Sequence, residues 1–381
     1  MADGAAVADT ITGRILLVGP SLQDQGGVAN YYNAVYPRLG MPGLDIDYLQ
    51  IGSTHGRRSG FHVLADQYRF WRKLGSFRPD IVHLNPSLDL KSFLRDGLFV
   101  LLAKLRRKPV LVFFRGWQEP FERQVEGRFR RFFRITYLRA DRFIVLASAF
   151  ARKLRDWGVA APIVLGTTAV ADDMLQDLSA AAKAEQLLAA GPVRLLYLAR
   201  LEPDKGVLEL IDAVVSLLQG GADITLTIAG DGAAMEQVRA RVAAHDRFHD
   251  RLRIAGYVRG EQKAEVLRSH HVYCFPTQYG EGMPNSVLEA MAFGMPVITC
   301  PVGGISDFFE DGRMGALLDG NRPATVARAI AAVIADRSRL ADMSRYNHNY
   351  ARAHFLASGA AAMLRQQYRA MLATATSVCS A

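Results

Sequence analysis

The 381-residue chain carries 46 Lys and Arg against 37 Asp and Glu, and half of its residues are apolar. This length exceeds a single ordinary hydrophobic core, so two domains are expected, and the composition excludes a largely disordered chain. The positive charge is uneven, because residues 1–170 carry 25 Lys and Arg against 14 Asp and Glu, whereas the remainder carries 21 against 23. The first half is therefore expected to meet an anionic partner.

The chain shows no pattern of a secreted or membrane-spanning protein. Residues 1–13 lack the basic region and apolar core of a signal peptide. The apolar run that starts at Leu98 is interrupted by Lys104 and is too short to cross a bilayer. A cytoplasmic location is expected.

Short strands and helices alternate through the first half, which predicts a parallel sheet covered by helices on both faces. The predicted strands are 14–19, 44–49, 80–85, 109–114, 142–147 and 161–165, and the predicted helices are 28–39, 61–77, 88–107, 122–140 and 148–157. Residues 166–173 are expected to link this domain to the next.

Gly26 and Gly27 lie between the first strand and the first helix. A glycine-rich turn at this position brings backbone N–H groups close to a phosphate, although a plain strand-to-helix turn has the same pattern. Asp45 and Asp47 form an Asp-x-Asp sequence that binds metal in other proteins. Both fall on one face of a strand without a wider motif, so they are expected to face solvent and no metal site is predicted.

Two helices of the first half, 61–77 and 122–140, are rich in arginine and aromatic residues. They fit a solvated basic face, a nucleic-acid surface or a helix surface that docks on anionic lipid. No recognised nucleic-acid module supports the second interpretation. Basic residues interleaved with Phe, Trp and Leu favour the third, which predicts peripheral contact with the membrane.

The second half repeats the alternation and begins with a predicted helix. The expected strands are 193–199, 223–228, 253–255, 271–276, 296–300 and 315–318, and the expected helices are 172–190, 207–218, 233–244, 262–268, 286–293, 323–335, 338–355 and 359–372. Arg200 and Lys205 flank the loop after the first of these strands. Two cations at this spacing can converge on a diphosphate, although exposed loop charges have the same pattern.

The segment 281–297 contains two carboxylates, Glu281 and Glu289, on either side of a predicted helix start. Residues 282–286 would present N–H groups at the helix N-terminus to a polar or anionic ligand. Glu281 would lie at the ligand end and Glu289 in the second turn, where carboxylates accept hydrogen bonds from sugar hydroxyls.

This segment, with its Glu-Gly-x-Pro-Asn and Leu-Glu-Ala-Met-Ala-x-Gly-x-Pro-Val sequences, resembles the Glu-x7-Glu motif of retaining family-4 glycosyltransferases. The resemblance implies an α/β fold of GT-B architecture, with two Rossmann-like parallel-sheet domains facing a central cleft. Residues 1–166 would form the acceptor-side domain and residues 167–356 the nucleotide-sugar domain. The helix within residues 357–381 would cross back to the first domain through Met363, Leu364, Tyr368 and Leu372.

The resemblance also implies roles for individual residues. Glu281 would contact the transferred sugar, Glu289 the ribose, and Arg200 and Lys205 the leaving diphosphate. The remaining donor-binding positions would be Gly26, Gly27, Gly230, Tyr257, Val258, Gly282, Met283, Pro284, Asn285 and Ser286.

Relatives usually carry a histidine after the strand 109–114, where this chain has Arg115. Arginine is no general base at cellular pH, so Arg115 is expected to face the cleft and to bind donor or acceptor oxygens. His83, near the end of the preceding strand, is an alternative occupant of that space.

The predicted activity is a metal-independent retaining hexosyl transfer from a nucleoside-diphosphate sugar, with a UDP-sugar favoured over a GDP-sugar and no cofactor. The expected acceptor is a lipid-linked glycan in bacterial surface polysaccharide or glycolipid synthesis, at the inner face of the cell membrane. A non-catalytic nucleotide-sugar-binding subunit and another GT-B reaction, such as sugar-nucleotide epimerisation or phosphorolysis, are the alternatives.

Overall fold

The computed structural model describes residues 12–24, 26–52, 61–176 and 178–379. The chain divides into two compact units, of which unit 1 runs to Thr167 and resumes at Ala357, and unit 2 comprises Thr168–Leu356. These limits fall within one residue of the predicted boundaries. Residues 1–11 lie outside the described residues, and they include most of the segment in which no signal peptide is predicted. Gln25 of the glycine-rich loop also lies outside them.

Unit 1 is built on one six-stranded parallel sheet in the order β2-β1-β3-β5-β7-β8, and β4 pairs with β6 separately. Its four central strands are mostly apolar and buried, as expected of a sheet covered on both faces, whereas its two edge strands are partly exposed. The elements in chain order are β1 (Gly13–Gly19), α1 (Gly27–Val35), β2 (Leu44–Gln50), α2 (Phe61–Phe77), β3 (Ile81–Leu84), β4 (Ser87–Leu88), α3 (Leu90–Leu105), β5 (Val110–Phe113), β6 (Gly116–Trp117), α4 (Glu119–Glu126), α5 (Arg130–Ile135), β7 (Arg142–Val145), α6 (Ser148–Asp156) and β8 (Ile163–Leu165).

Unit 2 contains a second six-stranded parallel sheet, in the order β11-β10-β9-β12-β13-β14. The last strand, β14, lies at one edge of this sheet. The elements in chain order are α7 (Ala180–Leu188), β9 (Val193–Leu198), α8 (Val207–Gln219), β10 (Ile224–Ala229), α9 (Met235–Ala243), β11 (Leu252–Gly256), α10 (Gly260–Ser269), β12 (Val272–Phe275), α11 (Asn285–Ala292), β13 (Val297–Thr299), β14 (Gly315–Leu317), α12 (Pro323–Ile334) and α13 (Arg337–His354).

The last helix, α14 (Ala357–Cys379), belongs to unit 1, as predicted. Leu364, Tyr368 and Leu372 are buried, and the Tyr368 hydroxyl lies 2.7 Å from Nδ1 of His83 in β3. The apolar stripe that the sequence assigns to this helix therefore contributes to the core of unit 1.

Two predicted helices are wrong in extent. The helix expected at 122–140 is divided into α4, α5 and a 3-10 turn at Tyr137–Arg139, because the chain leaves helical geometry at Gly127, where helix propensity is low. The helix expected at 172–190 is divided into a 3-10 turn, Asp172–Leu175, and α7, whose N-cap Ser179 accepts a hydrogen bond from Ala182 N.

Candidate functional site

The predicted donor-binding residues of unit 2 lie in loops that follow four of its strands. Because the strands are parallel, these loops emerge at one edge of the sheet, its carboxyl edge, where doubly wound folds bind ligands. The residues are Arg200 and Lys205 after β9, Gly230 after β10, Tyr257 and Val258 after β11, and residues 281–286 after β12. The fold thus collects residues that are far apart in the sequence.

Helix α11 is stabilised by burial around most of its circumference, since its residues from Val287 to Ala292 are all buried. Its N-cap is Pro284, which provides no side-chain hydrogen bond. The first-turn N–H groups are therefore not capped by that side chain, and the helix dipole directs partial positive charge toward Gly282 and Glu281.

Lys205 and Glu281 form an ion pair at this edge of unit 2. Lys205 Nζ lies 2.7 Å from Glu281 Oε1, and the two side chains are only 9% and 16% exposed. Gly206 positions the lysine: its φ is +75°, and a Cβ there would lie 2.1 Å from the carbonyl oxygen of Pro276. Only glycine fits this approach, so the turn that carries Lys205 is held against the end of β12.

A second glycine holds the loop that carries Glu281. Gly303 has φ +53°, and a Cβ there would lie 2.3 Å from the carbonyl oxygens of both Glu281 and Gly282. The adjacent Gly304 N donates to the Gly282 carbonyl at 2.8 Å. The contact between the Gly303–Gly304 turn and the Glu281 loop depends on the fold.

Arg200 is placed differently from Lys205. Its side chain is 67% exposed, and its guanidinium lies 4.0 Å from the carboxylate of Glu202. The structure therefore brings Lys205, but not Arg200, into contact with Glu281. The role of Arg200 at a diphosphate stays a prediction.

Glu289 has a partner that the sequence analysis missed. Its Oε1 accepts a hydrogen bond from Lys263 Nζ of α10 at 2.6 Å, and its side chain is 7% exposed. The other oxygen, Oε2, is buried and has no hydrogen-bond partner in the described part of the chain. No sequence pattern links two residues on separate helices 26 positions apart, so only the fold reveals this pair.

The other donor-binding predictions of unit 2 lie at the same edge of its sheet. The Ser286 hydroxyl is 2.7 Å from the Tyr273 hydroxyl, Met283 is buried, and Asn285 is half-buried. Gly230 N donates to the Gly256 carbonyl at 2.7 Å, which joins β10 to β11. The ring of Tyr257 is exposed at the end of β11. Their contacts with a nucleotide stay predictions.

In unit 1, Gly26 is the N-cap of α1 and Gly27 its first residue. Gly26 has extended backbone angles and provides no side-chain cap, and a Cβ there would meet nothing within 4 Å. The glycine is therefore not required by packing within unit 1. The predicted approach of a ligand to this helix N-terminus stays a prediction.

Arg115 is buried within unit 1. Its guanidinium carbon lies 3.8 Å from the ring centroid of Tyr31 and 4.2 Å from that of Phe113. Its Nε and Nη1 are buried without hydrogen-bond partners among the described residues, and burial lowers the pKa of the guanidinium. The side chain therefore lies against aromatic faces rather than in an exposed position, and its predicted binding to substrate oxygens stays a prediction.

His83 lies in the same region, as the sequence suggested. Its ring is fully buried and stacks near Phe113, and its Nδ1 contacts the Tyr368 hydroxyl. Burial, with a smaller contribution from the charge of Arg115, lowers the pKa of His83 to about 3. His83 is therefore neutral at physiological pH and can act there as a hydrogen-bonding group but not as an acid.

Both carboxylates of the Asp-x-Asp sequence in β2 form ion pairs. Asp45 lies 3.6 Å from Arg14, and Asp47 pairs with Lys73 of α2. Within the described residues, no group of three His, Cys, Asp or Glu is arranged to hold a metal ion. In the same part of the chain, no helix has the length and apolar character needed to cross a membrane.

Two protein-family descriptions match this chain. "Glycosyl transferases group 1" matches residues 180–350 and "Glycosyl transferase 4-like domain" matches residues 13–165. The phosphatidyl-myo-inositol mannosyltransferase of Mycobacterium leprae is 28% identical over 80% of this chain and 74% of its own. The enzyme of the same name from Mycobacterium tuberculosis is 30% identical over 68% of this chain and 64% of its own.

Solved structures resemble the fold over almost the whole chain. Sucrose-phosphate synthase from Thermosynechococcus elongatus superimposes with a TM-score of 0.75 at 18% identity, covering 95% of this chain and 99% of the other. The Anabaena protein HepE, solved with UDP and glucose, gives a TM-score of 0.69 at 15% identity, covering 93% and 99%. At these identities the likeness concerns the fold alone.

Proposed function

The chain belongs to the group 1 glycosyl transferases and has the GT-B fold, and on this premise we propose that it moves a hexose from a nucleoside-diphosphate sugar to an acceptor hydroxyl with retention of configuration. The observation that carries the proposal is the Lys205–Glu281 pair beside the N-terminus of α11. It combines a cation suited to a diphosphate with a carboxylate suited to sugar hydroxyls. The nucleotide sugar itself is inferred from these two chemistries.

In the proposed reaction, the bond between the sugar C1 and the diphosphate oxygen breaks, and the acceptor oxygen bonds to C1 on the same face. The acceptor proton passes to the departing phosphate oxygen, so no separate base is required. Lys205, Arg200 and the α11 N-terminus would stabilise the developing negative charge, which is electrostatic stabilisation at fixed positions. Glu281 would orient the sugar, and Glu289 would accept hydrogen bonds from the ribose.

Donor binding is tested on the full chain with UDP-, GDP- and ADP-sugars. A cognate donor binds the folded state and raises the melting temperature. Release of the nucleoside diphosphate in the presence of an acceptor, with the anomeric configuration of the product read by NMR, then tests transfer and retention. We expect a UDP-sugar to give the largest thermal shift, in keeping with the UDP bound to HepE. A chain that binds none of these donors would overturn the proposal.

The same assay separates the alternatives. A donor-binding subunit without activity would show the thermal shift but no product. An epimerase would return a nucleotide sugar with altered configuration, and a phosphorylase would form a sugar phosphate from a glycoside. Only the transferase consumes donor and acceptor together.

We propose further that the acceptor is lipid-linked and that unit 1 docks on an anionic membrane. Six of the nine exposed large apolar side chains in the described part of the chain lie on α2, α3 and α5, namely Leu64, Tyr68, Leu90, Leu98, Leu105 and Ile135. On α3, residues 90, 94, 98, 101 and 105 are all leucines, and at 100° per residue they span an arc of about 80°. These side chains form a leucine stripe.

Exposed cations lie on or directly after the same three helices. Arg69 and Arg72 on α2, Arg106 and Arg107 after α3, and Arg131 and Arg134 on α5 are all exposed. We name these arginines, together with the six exposed apolar residues, the leucine–arginine face. An apolar stripe with cations on the same helices suits insertion of leucines among anionic headgroups better than it suits a solvated surface.

A further inference from the structure

Glu289 is a buried carboxylate with only half of its hydrogen-bonding capacity satisfied. Its Oε1 accepts from Lys263 Nζ at 2.6 Å, whereas its Oε2 is buried and without a partner in the described part of the chain. An ionised carboxylate is an acceptor on both oxygens, and a buried acceptor without a donor is unfavourable. Oε2 is therefore the atom that a ligand hydroxyl would satisfy.

Lys263 determines which oxygen remains available. It lies on α10, and its side chain is 19% exposed, so the ion pair is largely shielded from solvent. A shielded pair with one short hydrogen bond restricts rotation of the carboxylate, whereas an exposed pair leaves both side chains free to move. With Oε1 held by the lysine, Oε2 has one fixed orientation.

We propose that Lys263 is the positioning residue for Glu289 and that the pair discriminates for the hydroxyl groups of the donor ribose. This inference rests on the proposed function, since it assigns the ligand of Glu289 to a nucleotide. Lys263 acts through Glu289: it holds the carboxylate in one orientation, and Glu289 Oε2 accepts a hydrogen bond from a ribose hydroxyl. The role is independent of the base, because ribose is common to all candidate donors.

The test compares binding of UDP and 2′-deoxy-UDP, and of GDP and 2′-deoxy-GDP, to the full chain by calorimetry. The wild type is expected to prefer the ribonucleotide by about tenfold or more, as a hydrogen bond to a charged group warrants. Lys263→Met is expected to reduce this preference to less than about threefold, and Lys263→Arg to restore most of it. Glu289→Gln should remove the preference as Lys263→Met does.

A matched control comes from another ion pair of unit 2. Arg241 binds Asp212 between α9 and α8, away from the loops at the carboxyl edge of the sheet, so Arg241→Met should leave the ribose preference unchanged. If Lys263→Met folds with its wild-type melting profile and keeps the full ribose preference, Lys263 is not a positioning residue. If the wild type binds these nucleotides without any preference, the ribose assignment fails while the transferase activity stands. Absence of nucleotide binding in the wild type would instead count against the proposed function.

If Lys263→Met does not fold, Lys263→Gln replaces it, because its amide keeps one donor for Glu289 without the charge. An intermediate ribose preference in that variant would support positioning, and a wild-type preference would contradict it. A KM for the donor that rises in the lysine variants while kcat at saturation is maintained would place the effect on donor binding rather than on the chemical step.

Discussion

The predicted site cations of the two units differ in the partners that they contact. In unit 2, the shielded cations at the carboxyl edge of the sheet are each paired with a carboxylate, Lys205 with Glu281 and Lys263 with Glu289. In unit 1, the predicted site residue Arg115 is a buried cation that lies against the faces of Tyr31 and Phe113 and has no carboxylate partner among the described residues. Unit 1 also carries the exposed arginines of the leucine–arginine face.

The difference matches the two kinds of ligand that we propose. A nucleotide sugar presents both anionic phosphates and hydroxyl donors, so a site that binds it needs cations and carboxylates side by side. An anionic lipid surface presents negative charge over apolar chains, so the surface that docks on it needs cations and exposed leucines. Substitutions at the paired charges of unit 2 and at the unpaired cations of unit 1 should therefore affect different functions.

The largest effect on turnover is expected at the Lys205–Glu281 pair of unit 2. Lys205→Met removes the cation at the proposed diphosphate and leaves Glu281 without its partner, so turnover should fall by about 10²- to 10³-fold. The rate of nucleoside-diphosphate release measures this. Lys153→Met, which breaks an ion pair with Glu122 and Glu126 in unit 1, is the control and should keep normal turnover. Equal losses in both variants would point to a general loss of folding.

The next effect concerns stability in acid and the neutral His83 of unit 1. Its pKa is lowered to about 3 from an ordinary value of about 6.5, so protonation favours the unfolded state and stability falls as the pH drops below 6.5. Between pH 7.5 and pH 5 this residue alone should cost about 2 kcal/mol of unfolding free energy.

His83→Gln should lose about 2 kcal/mol less than the wild type over the same interval. Urea unfolding followed by tryptophan fluorescence measures it, because all three tryptophans, Trp71, Trp117 and Trp157, belong to unit 1. His249→Gln changes an exposed histidine of unit 2 and should behave as the wild type does. Equal acid sensitivity of His83→Gln and the wild type would refute the assignment.

A smaller effect is expected at the leucine–arginine face. Leu98→Glu places a charge in the middle of the leucine stripe and should weaken binding to vesicles that contain anionic phosphatidylglycerol by about tenfold, since burial of a leucine contributes roughly 1.5–3 kcal/mol. Co-sedimentation with anionic and with neutral vesicles measures it. Leu188→Glu, at an exposed leucine of unit 2, is the matched control and should bind as the wild type does. Equal binding of the wild type to neutral vesicles would contradict an electrostatic contribution.

The smallest change in stability is expected at Arg115, the buried cation without a carboxylate partner in the described part of the chain. Arg115→Met removes a buried charge together with its two aromatic contacts, and these terms oppose each other, so the unfolding free energy should change by less than about 1 kcal/mol. Turnover should nevertheless fall if the guanidinium binds donor or acceptor oxygens. Full turnover of Arg115→Met would assign Arg115 a packing role alone.

The sequence by itself determined the fold class and indicated candidate residues for a site in unit 2. The alternation of apolar strands and helices is a local property, and it predicted both parallel sheets. The return of α14 to unit 1 was implied by the family resemblance of the segment 281–297. The segment 281–297 identified Glu281 and Glu289 because their surroundings have a specific residue pattern. The prediction of one helix at 122–140 was wrong because it was based on the composition of the whole segment and did not account for the single break at Gly127.

Only the tertiary structure decided which charges meet. Lys205 and Glu281 are 76 positions apart, and Lys263 and Glu289 are 26 apart on different helices, so each pair exists only because parallel strands deliver their loops to one edge. For the same reason the sequence could not show that Arg115 packs against Tyr31, or that Arg200 stays exposed while Lys205 is buried. Periodicity reports which side of an element faces the core, whereas the identity of a buried neighbour depends on how distant elements pack.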